Sequence, residues 1–149
     1  RVRVAAIIRQ DDTVLLVRHE KDNQSYWLLP GGGVHFGESL DKALIRELKE
    51  EATVDIDVGK LAYVVDAISE DDDRHMIQCS FEADITHGTV AVGSDKRVVE
   101  VRFIPIEDIA TLNLHPPTND ELIDGLNKGF AQVDRYLGNR WRARIDRGR

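Results

Sequence analysis

The sequence is poor in the residues that staple or anchor a chain. It holds one cysteine, one methionine and four prolines in 149 residues. A lone cysteine, Cys79, excludes an internal disulfide framework and fits a reducing, cytoplasmic setting. No apolar run approaches the roughly 20 residues that span a bilayer, and no signal-peptide pattern is visible. A chain that opens on Arg1 rather than Met is expected to have native residues upstream. Positive charge is also scarce: 20 Lys and Arg stand against 27 Asp and Glu, a net −7. That balance argues against a general nucleic-acid or membrane-surface binder. Repeats and low-complexity tracts are absent. The 42% hydrophobic and 32% charged content is ordinary for one globular domain.

The charge is unevenly spread. Residues 138–149 hold five arginines and one aspartate, a local +4, which leaves −11 on the other 137 residues. The chain therefore divides into a domain over 1–137 and a basic tail over 138–149. The tail reads first as a solvated extension. Trp141 among its arginines would suit contact with an RNA end.

Residues 2–8 and 14–17 are apolar and rich in β-branched side chains. The polar stretch RQDDT between them predicts a hairpin. Residues 26–29 form a short apolar segment stopped by Pro30 and three glycines. Residues 61–68 read as a strand. In 76–83, Ile77, Cys79, Phe81 and Ala83 alternate with Gln78, Ser80 and Glu82, which predicts a strand with the apolar set inward. Residues 98–104 form another strand, closed by Pro105, and 106–112 a short helix. Thr118 and Glu121 have capping-box spacing. Leu122, Leu126, Phe130, Val133 and Leu137 then predict an amphipathic helix to the end of the domain, across Gly125 and Gly129. Strands mixed with two long helices predict an α/β layered fold.

Residues 31–54, GGGVHFGESLDKALIRELKEEATV, hold an anomaly. On a helix of about 100° per residue, Glu51 falls about 20° from Leu40, between it and Leu44, and Glu47 about 20° to the other side. Lys42 and Lys49 occupy the opposite face. Glu47 and Glu51 are a like-charge pair one turn apart, which is unfavourable even when exposed and more so when desolvated. Arg46 could pair with Glu50 and make this an ordinary charged face. A hard divalent cation would resolve the repulsion, since two carboxylates one turn apart reach one ion. The preceding glycines allow close approach of a ligand, and the helix start favours an anion. Together they suit metal-assisted phosphate chemistry.

The same stretch resembles the Nudix box, Gx5Ex7REUxEExGU, where U is a bulky aliphatic. Gly32, Glu38, Arg46, Glu47, Leu48, Glu50, Glu51 and Val54 fill its fixed positions. The flanks YWLLPGG and VRFIPIEDIA are also similar to the family's, so the resemblance runs over residues 2–137. Thr53 departs from it, standing where the family has Gly. A β-branched residue enters a left-handed turn only at a cost, so the helix is expected to end differently here.

The resemblance implies an α/β/α sandwich around a mixed β-sheet. It implies hydrolysis, dependent on Mg²⁺ with Mn²⁺ as the substitute, of a nucleoside diphosphate linked to a further group: a nucleotide sugar, ADP-ribose, a (deoxy)nucleoside triphosphate or a dinucleoside polyphosphate. By position, Glu47 and Glu51 are the implied main metal ligands and Glu50 a further one. Glu38 and Arg46 are the implied brace between loop and helix. An acidic residue from outside the box is expected to join, with Glu100 and Asp95 both open. Glu50 and Glu38 contend for the general base. Gly32, Gly33, His35, Phe36 and Asp95 are candidates for substrate contact. Tyr26, Trp27 and Tyr63 could stack a base, although Trp27 and Tyr63 read first as core. A homodimer is compatible with all of this. Two rivals remain: a nucleotide-sensing module without catalysis, which has no need of the full glutamate set, and an RNA-end processor using the tail.

Overall fold

The computed structural model describes residues 1–71 and 73–141. The elements in order are β1 (Val2–Ile7), β2 (Arg9–Gln10), β3 (Thr13–Lys21), β4 (Gln24–Leu28), β5 (Gly31–Gly33), α1 (Leu40–Ala52), β6 (Val54–Ile68), β7 (His75–Gly88), β8 (Val98–Pro105), α2 (Asn119–Lys128) and β9 (Tyr136–Asn139). Short 3₁₀ turns cover Ile106–Thr111 and Phe130–Gln132.

Two sheets form. A five-stranded mixed sheet runs β5-β1-β7-β6-β9, with β1–β7 and β6–β9 parallel. An antiparallel sheet centres on β3, with β8 on one edge and β2 and β4 on the other. Strand alternation then divides the core. Val4, Ala6, Ile8 and Leu15 pack against Ala43, Leu44, Leu48 and Ala52 of α1. Ala5, Ile7, Val14 and Leu16 pack with Leu122 and Leu126 of α2 and with Ile109. Each strand is thus apolar on both sides, as a sheet covered on two faces requires. The result is the expected α/β/α sandwich.

Several local expectations are corrected. The hairpin expected between residues 2–8 and 14–17 is much shorter, its ladder ending where the Leu15 N–H donates to Ile8 O at 3.0 Å. β1 itself joins β5 and β7, and the chain turns back on β3 only through Ile8 and the two residues of β2. The strand at 76–83 is covered on both faces: Cys79, Phe81 and Ala83 pack towards α1 as expected, while Ile77 is exposed and Gln78 and Ser80 are buried on the opposite face. The cause is Arg3, itself buried, whose Nη1 donates to Gln78 Oε1 at 2.7 Å while Gln78 Nε2 donates to Ser80 Oγ at 3.2 Å. Buried polar groups must find partners, and this network lets the polar face of β7 be covered as well.

The second helix stops at Lys128, not at residue 137. Gly129 turns the backbone to φ 93°, and Phe130 folds back onto Gly125, where a Cβ would lie 2.0 Å from the ring. The capping box does not form. The Thr118 hydroxyl pairs with Tyr63 OH at 3.1 Å, and Glu121 is held by both terminal nitrogens of Arg140 at 2.8 and 3.0 Å. The boundary at 137 falls inside β9, which reaches Asn139 and is clasped by Arg140 N donating to Asp66 O. Residues 142–149 of the basic tail lie outside the described residues. No helix among the described residues is long and apolar enough to cross a membrane.

The end of α1 also differs from expectation. Thr53 does adopt the left-handed conformation, φ 61° and ψ 31°. Its side chain contributes a bond, Oγ1 donating to Thr89 O at 2.7 Å. The loop after β7 then closes the helix: Ala91, Gly93 and Ser94 donate their N–H groups to the carbonyls of Ala52, Glu51 and Glu50. The last carbonyls of a helix lack internal partners, and this loop supplies them. Gly93 lies so near that a Cβ there would sit 1.9 Å from Glu50 O.

Candidate active site

The site is built on the face of α1 that meets β5. Glu51 is 1% exposed, as its place between Leu40 and Leu44 on the wheel implies. Its Oε1 accepts the Gly31 N–H at 2.8 Å. Glu47 lies flat against Gly32, where an added Cβ would be 2.3 Å from the carboxylate carbon. Glu50 is about half exposed, at the rim. The glycine strand therefore does two jobs: it lets β1 and α1 approach, and it gives Glu47 and Glu51 a surface to lie on.

Arg46 organises the carboxylates around it. Its guanidinium reaches Glu38 by two bonds of 2.8 and 2.9 Å, Glu47 at 2.8 Å, Glu50 at 3.3 Å and the Gly33 carbonyl at 3.0 Å. Glu38 also accepts the His35 N–H at 3.0 Å. These bonds, chiefly those from Arg46, hold the Glu38 carboxyl down at about 2. The same partners push the Arg46 guanidinium above its usual value. The loop 33–38 is thus tied to the helix by the Glu38–Arg46 pair. His35 and Phe36 themselves stand in solvent at its tip.

The two candidates from outside the box part company. Glu100 on β8 is bonded by Arg18 Nε at 2.9 Å and by Arg102 Nε at 3.3 Å. It alternates with Val101 and Phe103, the residues packed towards α1, and so points away from Glu51. Asp95 sits in the loop that closes α1. Its carboxylate is gripped by Arg97 at 2.9 and 3.2 Å, which holds its pKa below the usual range. Tyr63 is fully buried core, its hydroxyl pushed up to about 12 by burial. Trp27 packs half-buried, with Arg102 over its ring.

Two residues emerge that the sequence pattern alone did not single out. Arg3 is a buried cation behind the glutamates, its pKa lowered by burial and raised in opposition by Glu51 and Glu47. His19 on β3 is 7% exposed and lies 3.8 Å from Glu51 Oε2. Its Nε2 is buried with no hydrogen-bond partner. A signal for His19 does exist in the sequence: Leu15, Val17 and His19 alternate onto the face that meets α1.

The donors fit a divalent cation by their chemistry. Glu51 Oε2 faces the orphaned Nε2 of His19 at 3.8 Å, and Glu47 lies on the neighbouring glycine strand. No three His, Cys, Asp or Glu side chains among the described residues already stand close enough to hold one ion, because Arg46 occupies Glu47 and Glu50.

Comparison with known proteins agrees with this fold. The chain is 30% identical over 112 residues to an ADP-ribose pyrophosphatase of Methanocaldococcus jannaschii, covering 74% of this chain and 65% of that one. It is 30% identical over 132 residues to diphosphoinositol polyphosphate phosphohydrolase 3-alpha of Mus musculus, covering 84% and 75%. The MutT protein from Methanosarcina mazei superposes with a TM-score of 0.71 at 27% identity, covering 85% of this chain and 94% of that one. A NUDIX hydrolase from Nitrosomonas europaea shares the fold with a TM-score of 0.76 at 23% identity, over 91% and 90%. The NUDIX domain model matches residues 1–126, and with the glutamate helix seated on its glycine strand the chain belongs to the Nudix hydrolase family.

Proposed function

We propose that this chain is a divalent-metal-dependent pyrophosphohydrolase that cleaves the diphosphate linkage of a nucleoside diphosphate derivative. The observation that carries the reading is the pair Glu47 and Glu51 on Gly32 and Gly31: Arg46 pairs Glu47, but among the described residues no cation is bonded to the buried Oε2 of Glu51. Such carboxylates are costly to bury unless a cation meets them. Relatives named for ADP-ribose and for CTP as substrates support a nucleotide ligand.

Glu47 and Glu51 would hold Mg²⁺ or Mn²⁺. A bound divalent ion supplies charge neutralisation at the diphosphate and a more acidic water. Glu50 accepts the proton of the attacking water: it is exposed at the rim, and its contact with Arg46 at 3.3 Å is the longest of that group. Glu38 is the weaker candidate for base, since a carboxyl held at about 2 gives little driving force for proton transfer. Glu38 and Arg46 position the glycine loop. Asp95 borders the site on the α1-closing loop, paired with Arg97.

A panel of ADP-ribose, nucleotide sugars, nucleoside triphosphates and dinucleoside polyphosphates, assayed for phosphate-containing products with and without Mg²⁺, tests this. Metal-dependent cleavage of at least one class is expected. Silence across the panel, with or without metal, would leave a sensing module as the better description.

A further inference from the structure

We propose that His19 Nε2 is a nitrogen ligand of the ion that Glu51 holds, making this a mixed nitrogen–oxygen centre that favours transition-metal ions over Mg²⁺. The inference rests on the hydrolase reading above and goes beyond it in naming a ligand from outside the box.

His19 stands on β3 opposite Tyr26 of β4, and the Tyr26 ring meets it edge-on at 5.5 Å between centroids. This contact fixes the imidazole plane. At His19 the pairing of β3 with β8 shifts register, Arg18 facing Glu100 but His19 facing Val98. Bulges of this kind re-aim side chains beside active sites.

The ring is thereby turned so that its Nε2 end is inside the protein, with no donor or acceptor near enough to bond it. A buried polar atom left without a partner is destabilising by about 1–3 kcal/mol. Native structures seldom tolerate that without a reason.

The surroundings narrow the reason. Asp95 is already taken by Arg97, and Glu47 by Arg46. The facing atom is Glu51 Oε2 at 3.8 Å, too far for a hydrogen bond. Two metal–donor bonds of about 2.1 Å each span that gap, so one ion reaches both atoms with neither side chain moving. Imidazole nitrogen suits Mn²⁺, Co²⁺ and Zn²⁺ progressively better, whereas Mg²⁺ takes oxygen.

The test loads the full chain with Mn²⁺ and reads nitrogen hyperfine coupling by pulsed electron paramagnetic resonance. A directly coordinated nitrogen is expected, switching isotope when the chain is labelled with ¹⁵N-histidine. His19→Gln should abolish it and weaken Mn²⁺ binding by about tenfold or more, with a smaller effect on Mg²⁺. His35→Gln should leave the coupling in place.

Mn²⁺ that binds, depends on Glu51 and shows no nitrogen coupling overturns the ligand assignment while the hydrolase reading stands. Coupling that survives His19→Gln and vanishes in His35→Gln overturns it equally. The labelled, unsubstituted chain decides between these outcomes even if His19→Gln does not fold. Absence of any bound Mn²⁺, together with no metal-dependent cleavage, removes both readings.

Discussion

Replacing Gly32 by alanine perturbs the site by one carbon atom. The new Cβ would lie 2.3 Å from the Glu47 carboxylate carbon and 2.3 Å from one of its oxygens, whereas ordinary contact begins at 3.4 Å. Glu47 must therefore retreat by at least about 1.1 Å, the difference of those distances. It can, because the clash is with the far end of a flexible side chain. The fold should survive with a stability change under about 1 kcal/mol, typical where a flexible group gives way. The displaced carboxylate loses its place beside Glu51, and a misplacement of about 1 Å lowers turnover by roughly 100-fold. Gly31→Ala is the contrasting control. Its Cβ would sit 1.9 Å from Val4 O and 2.8 Å from Ala5 Cα, backbone atoms that cannot step aside. That variant should lose about 3 kcal/mol or more, equivalent to roughly 6–12 °C in Tm for a domain of this size. Thermal unfolding and steady-state kinetics on both variants separate the two effects. Wild-type kcat in Gly32→Ala, or unfolding as severe as in Gly31→Ala, would refute the placement of Glu47 on Gly32.

Glu51→Gln keeps an acceptor for the Gly31 N–H, so circular dichroism should show a folded protein while metal-dependent turnover falls by at least about 100-fold. Tyr63→Phe leaves the Thr118 hydroxyl inside without its partner and should lower urea stability by about 1–2 kcal/mol, leaving activity near normal. Thr53→Ala retains the left-handed turn but gives up the bond to Thr89, and should lose about 1 kcal/mol in the same measurement. Acid should loosen the glycine loop in a defined window. Glu38 is ordinarily protonated near 4.5 and is held at about 2 here, so its tie to Arg46 contributes fully above 4.5 and fades as pH falls towards 2. Carboxyl resonances followed by NMR should place the Glu38 midpoint near 2, and a midpoint near 4.5 would contradict the bidentate pair.

Much of the site was legible because it is local. Glu38, Arg46, Glu47, Glu50 and Glu51 lie on one loop and one helix, so helical geometry alone predicts which carboxylate is buried. Glu51 is buried and Glu50 exposed, in that order. The misses arise where a distant partner decides. Period two in β7 correctly marks a strand with Cys79, Phe81 and Ala83 on a core face, but burial of Gln78 and Ser80 on the other face depends on Arg3, 75 residues from Gln78. Thr53 disfavours a left-handed turn by itself, yet Thr89 and the loop at 91–94 hold it there. The apolar stripe past Lys128 matched a helix, and Gly129 broke it. Glu100 and Asp95 were indistinguishable as sequence. Alternation on β8 turns one away from the glutamates, and the packing of a loop brings the other towards them. His19 showed an alternating pattern without any hint of Glu51, 32 positions further on.

The N–H groups of Ala91, Gly93 and Ser94 grasp the carbonyls of Ala52, Glu51 and Glu50, the last two of which carry acidic side chains of the candidate site. Main chain and side chain of Glu50 and Glu51 are thereby governed separately, one from behind and one from in front. A substitution in residues 91–94 would therefore reach the acids through the backbone of α1, leaving the side-chain partners of Glu47 and Glu51 in place.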